Sequence, residues 1–227
     1  MRELLREEIV FRLDQQVLLR RLHSRADSVL FQRGLELYET HAALFRPAYA
    51  LREFAVTARA ADGVAVGGCF FQSRILSRQL GESSSAFLYV ATCGPAIGQA
   101  AAQSTDMLDH FLLDQLAYMS YLAAMEALAA DMEPLLGIEK YRLLCPGSIP
   151  DWSVAEVPRI FRLLDGLPER LGLRVLDSGM IEPLKSTSGV LYETAEEFES
   201  CAICPRIRCE SRRVPFDPQQ HEAMSSL

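Results

Sequence analysis

Residues 142–190, RLLCPGSIPDWSVAEVPRIFRLLDGLPERLGLRVLDSGMIEPLKSTSGV, decide how this chain is read. Two breaker-rich loops, 145–151 (CPGSIPD) and 178–189 (SGMIEPLKSTSG), bracket one amphipathic helix at 153–167. Ile160, Phe161, Leu163 and Leu164 are its apolar face, and Pro158 falls early enough in the helix to be tolerated. Short strands at 140–144, 173–176 and 190–194 carry the chain into and out of these loops. Loops held by a rigid element between them are a usual place for a small-molecule site.

Upstream, 107–132 reads as one long helix with Ser104, Thr105 and Asp106 available as caps. It is apolar round most of its circumference, which makes it the central helix of the core. Before it come a short helix at 96–103 and a buried strand at 86–93 (AFLYVATC), broken by Gly94-Pro95. A loop at 82–85 and a helix at 73–80 precede that strand. Asp62-Gly63 is a turn signal that pairs 51–58 with 64–71 as a hairpin. The N-terminal part reads as two amphipathic helices. The first, 2–23, points Phe11, Leu18, Leu19 and Leu22 inward. The second, 26–44, points Val29, Leu30, Leu35, Leu37 and Leu44 inward, before Pro47.

The strands do not alternate regularly with helices, so the class is α+β rather than a doubly wound sheet. The organisation expected is a single domain over 1–213, with a helical part at 1–46, an α/β core at 47–195 and a Cys-rich segment at 196–213. A polar tail at 214–227 is read as frayed.

Composition narrows the function classes. The 227 residues are 49% apolar, enough for a sizeable core. Only 8% are aromatic, so that core is mainly aliphatic. A net charge of −7 argues against nucleic acid as partner, because phosphate binding needs a basic face. The N-terminus carries Arg2, Glu3, Arg6, Glu7 and Glu8 and does not read as a secretory signal. The longest apolar run, 111–125, is interrupted by Asp114 and Gln115 and falls short of the roughly 18–20 residues that cross a bilayer. A cytoplasmic setting without a membrane partner is expected, with the six cysteines unpaired.

The ordered set Pro146-Gly147, Asp151-Trp152, Phe161-x-Leu163-Leu164 and Ser178-Gly-Met-Ile-x-Pro183-x-Lys185-Ser-x-Ser188-Gly189 resembles the reactivation (activation) domain of vitamin B12-dependent methionine synthase. The similarity is to the short, free-standing bacterial relatives of that domain. It covers about residues 86–195, and 1–85 agree only in general layout. Thr92-Cys93-Gly94 stands where the family carries an apolar strand running into a Thr-x-Gly turn.

The resemblance implies a twisted, mainly antiparallel sheet with packed helices. It also implies reductive methylation: a corrinoid caught in its Co(II) state is restored by one electron from a low-potential donor and a methyl group from S-adenosylmethionine (SAM). A sulfonium methyl donor needs no general acid, so the protein supplies position, and the chain shows no catalytic triad or acid–base pair. No Asp-x-His-x-x-Gly cobalamin motif occurs. Cobalamin is therefore expected on a partner, a corrinoid methyltransferase or a methionine synthase lacking its own activation domain. Two alternatives stand beside this: a non-enzymatic docking module for a corrinoid protein, and a small metal or iron–sulfur electron-transfer protein.

The resemblance also names residues. Glu126, set inside an apolar run, matches a glutamate of the family's SAM site. The other reading puts it on a narrow polar side with Glu133, since an unpaired buried carboxylate is costly. Arg142 is the candidate for the SAM carboxylate, or else a surface arginine on a strand. Pro146-Gly147 lets backbone approach a ligand. Ser148 stands where relatives carry a tyrosine, a ring that Tyr192 or Tyr141 would replace. Lys185, Ser186 and Ser188 match the Lys-Ser-x-Ser-Gly run, with a solvent-facing turn lysine as the other reading.

A separate pattern, Cys201-x2-Cys204-x4-Cys209, spaces thiols as zinc or iron–sulfur ligands are spaced. A fourth ligand would come from Cys145, Cys93 or His221. The neighbouring arginines 206, 208, 212 and 213 suit thiolates. Unligated thiols are the other reading, and Cys69 is taken as core.

Overall fold

A computed structural model describes residues 1–204, 206, 208–209 and 212–225. The chain opens on a strand, β1 (Glu3–Arg6), and not on a helix. Leu4 and Leu5 explain the difference: they alternate, Leu4 packing on one side of the sheet and Leu5 on the other. The helix expected over 2–23 shrinks to α1 (Gln15–Arg21), capped by Asp14, whose carboxylate accepts from Gln16 and Val17 N–H. α2 (Val29–Thr40) follows, with Ser28 capping Phe31 N–H at 3.1 Å. Val29, expected in the core, sits exposed in the first turn, while Leu37 is buried.

The hairpin forms as β2 (Ala48–Ala60) against β3 (Gly63–Val66). Gly67-Gly68, both at positive φ, split off β4 (Cys69–Phe71). α3 (Arg74–Leu80) is capped by Ser73. β5 (Ser85–Thr92) leads through Gly94 into α4 (Pro95–Gln103). α5 (Met107–Leu136) is 30 residues long, starting at the Asp106 cap and ending at the left-handed Gly137. After β6 (Tyr141–Leu144) the helix expected at 153–167 is broken into α6 (Val157–Leu164) and α7 (Leu167–Arg170). Asp165 and Gly166, both at positive φ, separate them. β7 (Arg174–Val175) falls in the strand expected at 173–176, and it pairs as a small hairpin with β8 (Ile181–Glu182), which lies in what read as loop. β9 (Ser186–Glu193) begins four residues earlier than the sequence suggested. α8 (Ser200–Ile203) follows, and the expected frayed tail forms α9 (Pro218–Ser225). Asp217 N–H donates to Ala202 C=O at 2.7 Å, and the Asp217 carboxylate caps Gln219 and Gln220 N–H.

Among the described residues, seven strands make one sheet in the order β4-β3-β2-β5-β9-β6, with β1 beside the first half of β2. Every pairing is antiparallel. One face buries Leu88, Val90, Leu144, Val190 and Tyr192 with α3, α6 and Trp152. The other buries Tyr49, Leu51, Phe87, Tyr89 and Leu191 against Ala124, Leu128 and Met132 of α5. A third cluster joins α1 and α2 to the first half of α5 through Leu18, Phe31, Leu112 and Leu116. Each such fully buried side chain stabilises the fold by about 1.5–3 kcal/mol. No described helix is long and apolar enough to cross a membrane.

Candidate functional site

The ladder between β5 and β9 runs one step beyond β5, where Cys93 N–H donates to Lys185 C=O at 2.9 Å. Gly94 N–H and the Ser186 hydroxyl both donate to Thr92 Oγ1, at 3.1 and 2.9 Å. From α5, the Ser120 hydroxyl donates to Cys93 C=O at 2.9 Å. The Thr92-Cys93-Gly94 turn therefore locks α5 to the start of β9. It also sets two charges side by side: Lys185 Nζ lies 2.9 Å from Asp114 Oδ2, with the side chains 28% and 34% exposed. The Cys93 thiol beside them is pushed up to about 12 by burial, so it adds no charge.

These two residues line a cavity of about 640 Å³. Ala101 and Ala102 of α4, Ala117 of α5, and Leu176 of the β7–β8 connection give it apolar walls. His110 joins the wall; its Nδ1 lies 2.8 Å from Ala101 C=O and donates there. Gly98 makes the enclosure possible, since a Cβ at this position would lie 2.2 Å from Pro183 Cβ.

The two loops face each other across a second, smaller cavity of about 210 Å³. Cys145, Pro146 and Val154 line one side, and Gly179, Ser186 and Ser188 the other. Met180 and Leu184 line both cavities, so the two adjoin along one cleft wall. Val154, Met180 and Leu184 are 45%, 49% and 63% exposed and give the cleft an apolar rim. Ser188 lines it, and the Ser188 hydroxyl is buried without a hydrogen-bond partner among the described residues. An orphaned buried hydroxyl in a cavity wall is the kind of group a ligand satisfies.

Solved structures with this fold include one titled "Crystal Structure of the MetH Reactivation Domain bound to AdoHcy". It superimposes with a TM-score of 0.59 at 14% identity, over 80% of this chain and 71% of that one. The chain has the reactivation-domain fold. No protein-family model matches the sequence, and no curated protein matches it.

Within the reactivation-domain fold, the candidates read from sequence divide. Pro146, Ser186 and Ser188 line the small cavity and Lys185 the large one, all within the cleft. Gly147 is the pivot of the first loop: its φ is +80°, and an added Cβ would meet Val154 Cγ1 at 2.6 Å. Ser148 is spent inside that loop, accepting from Cys145 N–H at 3.1 Å and donating to Cys145 C=O at 2.6 Å. Asp151 serves the fold: its carboxylate takes the Ser73 hydroxyl and the N–H groups of Arg74 and Ile75, joining the first loop to α3.

Glu126 and Arg142 are not brought together. Glu126 is exposed on α5, two positions and roughly 200° from Ala124 and Leu128, which face the sheet. Arg142 pairs across the ladder with Tyr192, on the face away from α5; Tyr141 and Leu143 take the α5 side. Strand alternation fixes this, because a shift of one residue turns a side chain to the other face. The Tyr192 ring is buried in the core, its hydroxyl donating to Gln79 Oε1 at 2.9 Å, so it does not replace the missing ring at the first loop. Tyr141 is partly buried beneath α5.

The cysteines have other partners. Cys145 Sγ lies 3.1 Å from the Tyr89 hydroxyl and 3.5 Å from Thr187 Oγ1, on the α5 face. Cys201 and Cys204 turn their carbonyls to a guanidinium. Arg212 donates to the C=O of Cys201 at 2.6 Å, of Cys204 at 3.1 Å, and of Arg206. His221 Nδ1 donates to Ile203 C=O at 2.7 Å, and Cys93 is buried at the end of β5. Among the described residues no three His, Cys, Asp or Glu side chains gather as metal ligands would.

Asp114 stood out in the sequence only as a break in an apolar run, and His110 and Leu184 carried no signal. Asp114 carried the same signal as Glu126, a carboxylate inside an apolar helical run.

Proposed function

We propose that the chain binds SAM in the cleft between its two loops and reactivates a corrinoid-dependent methyltransferase whose cobalamin is carried by the partner. The observation that carries this reading is the cleft: the Pro146-Gly147 loop and the Lys185-Ser-x-Ser188 run face each other around an orphaned hydroxyl, in the fold of an AdoHcy-bound domain. The residues there suit such a ligand. Lys185 and Asp114 offer one charge of each sign, Ser188 offers a hydroxyl, and alanine and leucine side chains surround them.

SAM supplies an electrophilic methyl group on a sulfonium, and the electron that returns cobalt to its nucleophilic state comes from a low-potential donor. The chain's own share is positioning. The Thr92-Cys93-Gly94 turn fixes the lysine and the helix, while Val154, Met180 and Leu184 give a dry rim on which a partner's corrinoid can rest. A cytoplasmic setting, where its six free cysteines stay reduced, suits this chemistry. Calorimetric titration with SAM tests it: saturable binding supports the reading, and a silent titration of folded protein rejects it.

The separation of Glu126 from Arg142 favours one second reading, a docking module that holds a corrinoid protein without SAM. That module would bind its partner with an affinity indifferent to added SAM.

A further inference from the structure

We infer that Asp114 and Lys185 are the anchor for the amino-acid end of the ligand, the ammonium on Asp114 and the carboxylate on Lys185. This deepens the SAM reading and rests on it. The two charged groups stand 2.9 Å apart in the wall of the 640 Å³ cavity. An α-amino acid carries its ammonium and its carboxylate on one carbon, so it can enter between the side chains and exchange one ion pair for two. Both side chains are about two-thirds buried, which strengthens charge-assisted hydrogen bonds over those at an open surface.

Both are also held before any ligand arrives. Lys185 is pinned through its carbonyl to Cys93 N–H, and Asp114 rides on the helix that Ser120 bonds to the same turn. The remainder of the ligand runs past Leu176, Met180 and Leu184 into the smaller cavity.

The Arg174–Glu182 pair in the same cavity wall is a poorer anchor. The Arg174 side chain is 75% exposed, and water screens such a pair. Glu126 and Arg142 cannot act on one ligand from opposite faces of the sheet.

Titration calorimetry on the full chain tests the assignment with SAM, decarboxylated SAM and adenosine. Wild-type protein is expected to bind decarboxylated SAM about ten- to hundredfold more weakly than SAM, the loss that follows from removing one charged hydrogen-bond partner. Asp114→Asn and Lys185→Met are expected to weaken SAM by a similar factor and leave adenosine unchanged, with Lys185→Arg retaining most affinity. Wild-type binding of SAM with equal affinity for decarboxylated SAM and no response to either neutral variant overturns the anchor alone. No binding of SAM by folded wild-type protein overturns the function reading as well. The decarboxylated ligand decides the point on wild-type protein even if a variant folds poorly.

Discussion

Lys185 and Arg212 are both cations at the centre of a loop, and they are used in opposite ways. Arg212 turns inward and spends its guanidinium on three carbonyls of the cysteine segment. Lys185 is held by its own backbone and extends its ammonium to a carboxylate in a cavity wall. A cation satisfied by main-chain carbonyls is committed to local structure. A cation whose one partner is an equally accessible charge can change partners. The same contrast separates the regions: strands and a long helix build the cleft, whereas side-chain-to-backbone bonds hold much of the C-terminal segment.

The largest effect expected on the cleft side is Trp152→Ala. This side chain is 1% exposed, stacks edge-on with Phe71 and underlies the first loop, so its loss should cost about 3–5 kcal/mol in urea unfolding. A smaller loss would mean that the loop is as loosely held as the cysteine segment. Gly98→Ala forces a methyl against Pro183 and should cost about 1–3 kcal/mol, with weaker SAM binding as α4 and the β8–β9 connection separate.

On the other side, Arg212→Ala should lower global stability by only about 1 kcal/mol. It should, however, speed maleimide labelling of Cys201, Cys204 and Cys209 while leaving Cys93 protected. If a chelator accelerated labelling of wild-type protein equally, a metal and not the guanidinium would be holding the segment.

The Arg2–Glu53 pair sharpens the contrast from a third place. Glu53 accepts from Arg2 through two side-chain nitrogens and its N–H, and from the Ser85 hydroxyl. Arg2 lowers the Glu53 carboxyl from 4.5 to about 2. A lowered folded value stabilises above pH 4.5, and the gain fades as pH falls towards 2. Solvent screening limits it to about 1 kcal/mol, a loss that Glu53→Gln should abolish in acid unfolding curves. The smallest effect is Glu126→Gln: within about 0.5 kcal/mol in stability, with SAM affinity unchanged.

Much of the fold was legible because its signals are local. β5 is a continuous apolar run, α5 is long and capped, and the Asp62-Gly63 turn fixes a hairpin. β1 was not legible. Four residues carry too little periodicity, and only pairing with β2 makes Leu4 and Leu5 a strand. α9 read as a polar tail because its order comes from α8, through Asp217 and His221.

The site divided along the same line. Loops bounded by proline and glycine announced themselves, and so did Lys185, Ser186 and Ser188. Which face Arg142 occupies depends on strand register, and whether three thiols converge depends on what fills the space between them. Neither is written in residue spacing.

The sheet also sets an order on synthesis. β5 pairs early with β2, Ala48 opposite Thr92, but its other edge waits for β9, where Thr92 meets Ser186. A chain growing from its N-terminus must therefore make nearly a hundred further residues before its most apolar strand is covered on both edges. Until then the nascent chain offers an open template for pairing with a neighbour. Conditions that slow translation beyond β6 should divert this protein into aggregates, whatever the stability of the finished fold.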